Sequence, residues 1–176
     1  MSLLDEVAER LRAVIGSVQE LDHGVIDRRL IQRYAVAIDD HEPLYTDPEA
    51  ARAAGFPDVI APPNMLAAVV DWGPGGWQGE LKPDGTGDEG WLSEATRGMR
   101  VMGGGEQMEL LHPLVAGMHL LETQVLADAV VKDGRAGRLL VVQSDGQFRA
   151  EGGPVLSRNR RTILGREPVQ EVAHVL

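Results

Sequence analysis

Apolar residues recur at Leu3, Leu4, Val7, Leu11 and Val14, a spacing that places them on one side of a helix. The pattern returns at Leu30, Ile31, Tyr34 and Ala35 and predicts a second helix over residues 27–38, with Asp27 as its cap. Asp47-Pro48, followed by Glu49 to Arg52, predicts a short third helix. A capping Asp precedes a proline whose missing N–H breaks no helical bond, and Gly55 is a natural stop. From Val59 a strongly apolar stretch runs through Pro62, Pro63, Asn64 and Met65 to Trp72 and predicts a long central helix, its prolines in the first turn. Beyond it the period changes. Leu121, Thr123, Val125, Ala127 and Ala129 alternate with Glu122, Gln124 and Asp128, which predicts a half-buried strand. Residues 138–148 and 155–164 predict two more strands, joined by the turn Glu151-Gly152-Gly153-Pro154, and residues 107–111 another that ends at His112-Pro113.

Helices followed by a run of antiparallel strands predict an α+β domain in which a sheet wraps a helix. Residues 1–20 are expected to form a helical extension, 21–168 the domain and 169–176 a tail. Within the domain, residues 73–98 are rich in Gly, Pro and acids, too long for a plain connection, and are expected to be a functional flap or disordered. Trp72, Trp77 and Trp91 lie in or beside that segment, as a lid or as a cover for exposed core.

Composition narrows the function classes. The chain has 176 residues, enough for one real core. No apolar run reaches membrane-spanning length, so no membrane partner is expected. The N-terminus is amphipathic, acidic from Asp5 onward, and lacks the basic start of a signal peptide. Cysteine is absent, which excludes disulfides and thiolate metal sites and fits a cytoplasmic setting. The formal charge of −10 argues against nucleic acid, whose phosphates require clustered Lys and Arg.

Candidate chemistry concentrates in Ile38-Asp39-Asp40-His41-Glu42-Pro43-Leu44-Tyr45. The stretch from Tyr34 to Met65 resembles the MaoC-like hydratases and dehydratases, hotdog-fold proteins that act on 2-enoyl thioesters. Their motif runs roughly Gly-Asp-x-Asn-Pro-(Leu/Ile/Val)-His. Asp40, Pro43 and Leu44 match it, whereas Asp39 stands for the Gly, Glu42 for the Asn and Tyr45 for the His. The segment from Gly103 to Leu120 resembles the family's strand-turn-strand, with His112 in place of an Arg and Met118 in place of an Asp. The resemblance spans roughly residues 25–165. It implies a single hotdog domain, an antiparallel sheet around a central helix.

It also implies roles. In the family, the Asp and His share proton transfer, and N–H groups at the start of the central helix polarise the thioester carbonyl. Asp40 is thus the expected acid/base residue. Tyr45 occupies the degenerate His position, and a phenol with an ordinary pKa near ~10 donates a hydrogen bond at neutral pH but is a poor base. His41 is a remote substitute, since its spacing from Asp40 does not match the family geometry. Pro62, Pro63, Asn64, Met65, Trp72, Gly104 and His112 are the expected substrate-binding residues, with Asn64 or Met65 as the first available N–H donor.

Each has a plainer reading. Asp40 can close the turn after the 27–38 helix, Tyr45 can be a packed aromatic, and His112 can simply end a strand. Gly103-Gly104-Gly105 lacks the Lys and Ser/Thr of a phosphate loop, so a turn or close packing is expected. Arg158, Arg160 and Arg161 could meet CoA phosphates or form a solvated strand face. His23, His119 and His174 have no partners at metal-ligand spacing.

The resemblance therefore implies a subunit of an (R)-specific 2-enoyl-thioester hydratase or 3-hydroxyacyl-thioester dehydratase. The substrate would ride on CoA or acyl carrier protein, with no further cofactor and no metal. The leading expectation is a substrate-binding half paired with a smaller catalytic MaoC-like protein. A self-sufficient homodimer using Asp40 and a non-enzymatic acyl-thioester binder are the alternatives.

Overall fold

The computed structural model describes residues 2–69, 77–81, 95–135 and 137–168. The elements are α1 (Leu3–Arg12), β1 (Val18–Val25), α2 (Arg28–Ala37), α3 (Pro43–Thr46), α4 (Pro48–Ala53), α5 (Met65–Val69), a 3-10 turn (Gln78–Glu80), β2 (Arg100–Leu110), β3 (His119–Gly134), β4 (Gly137–Ala150) and β5 (Val155–Arg166). The five strands form one antiparallel sheet in the order β1-β3-β4-β5-β2. With the helices it makes a single α+β hotdog domain. Among the described residues, no helix is long and apolar enough to cross a membrane.

Local chemistry sets the helix ends. Ser2 accepts from the N–H of Asp5, Asp27 from that of Leu30 at 2.8 Å, and Asp47 from that of Glu49 at 2.8 Å. Pro48 takes the first position of α4, and Gly55 closes it with φ at 95°. α2 ends differently. The Asp40 N–H reaches back to Ala35 O at 2.9 Å and the Asp39 N–H to Val36 O at 3.2 Å, with Asp39 between them at φ 56°. That is a Schellman ending whose left-handed position, normally glycine, holds an aspartate. It is also the position where the family motif has its Gly.

Two apolar clusters cover the sheet. One gathers Ile26, Ile31, Val59, Met65, Leu66 and Phe148, with Leu114, Leu120 and Leu156. The other seats Leu4, Val7, Ala8 and Leu11 of α1 on Leu126, Ala129, Leu140 and Val142. α1 is thus a wall of the second core, and Val14, expected on its inner face, lies beyond the helix and is exposed. Polar residues separate the clusters. Glu122, fully buried, meets His23 Nε2 at 2.9 Å and accepts from Gln124 Nε2 at 2.8 Å and Arg161 Nη1 at 3.3 Å. Arg161 and His23 flank the Phe148 ring, with the guanidinium carbon 6.0 Å and the imidazole centre 5.9 Å from its centroid.

This band sets which face of β3 is inward. Leu120, Glu122 and Leu126 are buried, whereas Leu121, Thr123 and Val125 are only half covered. A bulge between Leu126 and Asp128 then shifts the register, so that Ala129 returns to the core face. A two-residue alternation defines two faces without saying which is inward, and His23 from β1 and Arg161 from β5 give the buried Glu122 its partners. β1 alternates in burial, but its sequence, VQELDHGV, carries no apolar/polar alternation, and it was not expected. β2 extends well before its expected start at 107. The expected long helix from Val59 begins only at Met65, after a turn at Pro63-Asn64, and the described residues follow it to Val69. Trp72, Trp91 and His174 lie outside the described residues, as does most of the 73–98 segment. Trp77 is described and is 82% exposed.

Candidate active site

The Schellman ending of α2 delivers Asp40 at a fixed backbone position, and Pro43 opens α3 immediately afterwards. Asp40 Oδ1 accepts from the Glu42 N–H at 3.1 Å, and Glu42 Oε1 in turn caps α3 through the Leu44 N–H at 3.3 Å. Asp40 therefore does close the turn, with one carboxylate oxygen. α3 is held against the rest of the domain at both ends. Gln32 Nε2 donates to Thr46 O at 2.7 Å, and the Ile60 N–H donates to Leu44 O at 3.0 Å. The following segment, Val59 to Ala61, runs antiparallel to Leu114–Ala116 through Ala61 N–H to Leu114 O at 2.8 Å and Ala116 N–H to Val59 O at 2.9 Å.

These ties enclose a cavity of about 260 Å³ between α3, the Pro62-Pro63 turn, and the end of β2. Its walls include Tyr45, Pro62, Pro63, Leu66, Leu110 and His112. Of all its lining residues, only Tyr45 and His112 bring polar side-chain atoms. Tyr45 is half-buried, and its hydroxyl has no hydrogen-bond partner among the described residues. Its pKa is pushed up from the ordinary phenol value, first by desolvation and then by the charges of Asp40 and Glu42. The phenol is thus a neutral donor at physiological pH.

The structure sorts the other expected residues. Pro62, Pro63 and His112 line the cavity with Tyr45. His112 is oriented by its Nδ1, 2.8 Å from Val155 O. His41 turns away: its side chain is 90% exposed and meets Asp39 Oδ1 at 3.0 Å, so the sequence neighbour of Asp40 is not its catalytic partner here. Met65 is corrected as an N–H donor, because its N–H is bonded to Pro62 O at 2.9 Å. Asn64 N–H has no acceptor among the described residues and is the donor that remains. Gly104 is corrected as a binding residue. It sits in the β2 bulge against β5, where a Cβ would stand 3.0 Å from both Leu164 Cγ and Thr162 Cγ2, so close strand packing requires the glycine.

The arginines of β5 are also accounted for. Arg158 lies 3.7 Å from Glu109, Arg160 forks onto Asp145 at 2.6 and 2.8 Å, and Arg161 binds Glu106 at 2.9 Å. Each has a carboxylate partner, which leaves none as a free phosphate receptor on this strand. Among the described residues, no three His, Asp or Glu side chains stand together as a metal site. Sequence reasoning missed Leu66, Leu110 and Leu111 as cavity walls, since nothing in their local pattern distinguishes a cavity leucine from a core one.

A family model described as the FAS1-like dehydratase domain region matches residues 13–158. The chain belongs to this FAS1-like dehydratase family. The α subunit of a 3-oxo-4,17-pregnadiene-20-carboxyl-CoA hydratase from Mycobacterium tuberculosis is 34% identical over 76 residues, 43% of this chain. The matched stretch spans only 24% of that curated relative's own length. Among solved structures, the ChsH1-ChsH2 complex of M. tuberculosis superposes with a TM-score of 0.72 at 22% identity, covering 96% of this chain and 99% of that one. A C-terminally truncated HadBC complex, a 3R-hydroxyacyl-ACP dehydratase from the same organism, gives 0.61 at 15% identity, covering 86% of this chain and 97% of that one. At those identities the structures establish the shared hotdog fold.

Proposed function

We propose that this chain is the substrate-binding half of an (R)-specific 2-enoyl-thioester hydratase, or of the reverse 3-hydroxyacyl-thioester dehydratase. It would share its sheet with a second hotdog chain that holds an intact Asp/His pair. Tyr45 carries this reading: at the family's His position stands a neutral phenol, in the wall of an apolar cavity. Hydration needs a base to take a proton from water while its oxygen bonds to C3. The displaced electron pair moves toward the thioester oxygen, and an acid then protonates C2. Tyr45 cannot be that base at neutral pH, whereas the cavity walls suit an acyl chain.

Two further observations support a partnered chain. β2 is an edge strand, and Val101, Met102 and Leu110 on it are exposed, a surface suited to pairing with another sheet. The similar solved structures include complexes of two different hotdog proteins. CoA as the carrier is favoured by the name of the M. tuberculosis hydratase. The match of Asp40 to the family's Asp, with a neutral phenol at Tyr45, supports a second reading, a homodimer that works through Asp40 with the phenol as acid.

Hydration of crotonyl-CoA and of a longer 2-enoyl-CoA by the purified chain separates them. The expected result is no turnover by the chain alone and turnover once an intact MaoC-like partner is added. Tyr45→His should then bring activity to the chain itself, on the scale of the ~10²–10⁴-fold that a positioned acid/base group contributes. Turnover by the unmodified chain that disappears in Asp40→Asn would overturn the substrate-binding role.

A further inference from the structure

His112 follows the end of β2, and the start of β5 holds it by backbone and side chain. The N–H groups of Leu111 and His112 both donate to Leu156 O, at 2.8 and 3.1 Å. His112 Nδ1 lies 2.8 Å from the preceding carbonyl, Val155 O. A carbonyl oxygen only accepts, so Nδ1 carries the hydrogen of that bond. In the neutral imidazole this leaves Nε2 with a lone pair and no proton. No group among the described residues meets Nε2.

The same cavity carries Tyr45 from α3, whose hydroxyl is also without a partner among the described residues. The remaining lining side chains, such as Ile60, Ala61, Leu66 and Leu110, are aliphatic. An apolar space of about 260 Å³ thus offers its occupant one donor, the phenol O–H, and one acceptor, the imidazole Nε2.

That pair narrows the occupant. A charged donor such as an ammonium group would give up its water against these walls for one neutral acceptor. A ketone oxygen can engage the phenol alone, and a carbon–carbon double bond engages neither group. A hydroxyl accepts from Tyr45 and donates to His112 through a single oxygen. We propose that His112 determines specificity in this cavity: its Nε2 accepts the hydrogen of a hydroxyl on the acyl chain, so the site holds the 3-hydroxyacyl thioester more tightly than the 2-enoyl one. The inference rests on the acyl-thioester reading above and adds which of the two ligands the cavity prefers.

Calorimetric titration of the full chain with butyryl-CoA, crotonyl-CoA and (R)-3-hydroxybutyryl-CoA tests it, at about pH 8, above the ordinary histidine value. The hydroxy compound should bind about three- to tenfold tighter than butyryl-CoA, the scale of one neutral hydrogen bond, and crotonyl-CoA should bind like butyryl-CoA. His112→Asn can keep an amide N–H against Val155 O but is too short to place an acceptor at the Nε2 position, so it should bring the ratio of hydroxylated to plain affinity to about one. His112→Gln, whose amide oxygen reaches that position, should retain part of the preference. Melting curves confirm that both variants are folded. Equal affinities of butyryl-CoA and the hydroxy compound for the unmodified protein overturn the inference and leave acyl-thioester binding intact. A preference that survives His112→Asn overturns it equally, and so does its complete loss in His112→Gln, which would assign His112 a structural role. Binding of none of the three probes would instead overturn the acyl-thioester reading, and the role of His112 with it.

Discussion

The two apolar clusters on one sheet are built for different tasks. At one end α1 seals the sheet: Leu4, Val7, Ala8 and Leu11 are at most 3% exposed and meet Leu126, Ala129, Leu140 and Val142. A single amphipathic helix supplies one whole side of that core. At the other end the cover is a set of short pieces, α2, α3 and the Pro62-Pro63 turn, joined by backbone bonds between Ile60 and Leu44 and between Ala61 and Leu114. Short pieces fill space less completely than a helix stripe, and the cavity lies where they meet β2. A sealed core and a cavity thus stand at opposite ends, with the Glu122–Arg161 band between them.

Leu11→Ala, at the sealed end, tests the division most severely. Loss of a fully buried leucine should cost about 2–5 kcal/mol in urea unfolding, while acyl-CoA affinity measured below the transition stays unchanged. A comparable loss of affinity would show that the two ends are coupled. Asp39→Gly, at the cavity end, acts in the opposite direction. It relieves a left-handed aspartate and gives up an exposed contact with His41, so stability should rise by about 1 kcal/mol.

The smallest effect concerns the edge of that same end. His119 lies between Asp22 and Glu151, and its hydrogen bond with Asp22 raises its pKa from the ordinary histidine value. Folding therefore favours the protonated imidazole. That contribution is complete below about pH 6.5, the ordinary value, and is lost as pH rises through the raised one. Asp22, held low first by His119 and then by the Gly24 N–H, contributes above the ordinary carboxylate range and loses its share as pH falls through its lowered value. Melting temperatures of the unmodified chain and His119→Gln should differ most in mildly acidic buffer and converge in alkaline buffer. A difference independent of pH would assign His119 a packing role only.

Much of the local structure was legible because the responsible interactions lie within a few residues. Asp27 and Asp47 cap the helices that follow them, Gly55 stops α4, and residues 151–154 turn between β4 and β5. The family motif was legible too, including the Tyr at the His position. The orientation of His41 was not, since an exposed loop histidine takes whichever nearby carboxylate the backbone presents, and Asp39 presents its own.

What the sequence determined by itself was the set of local elements and the chemistry stocked along them: a motif aspartate, a phenol where a base belongs, and an apolar turn rich in proline. Tertiary structure alone decided which face of β3 is inward, because Glu122 can be buried only where the His23 imidazole and the Arg161 guanidinium, from β1 and β5, meet it. It alone turned Arg158 and Arg160 toward carboxylates, spent the Met65 N–H on Pro62, and gathered Tyr45, Leu66, Leu110 and His112 around one cavity. Capping and periodicity act between near neighbours and can be read along the chain. Charge pairing and enclosure depend on residues that only the folded sheet brings together.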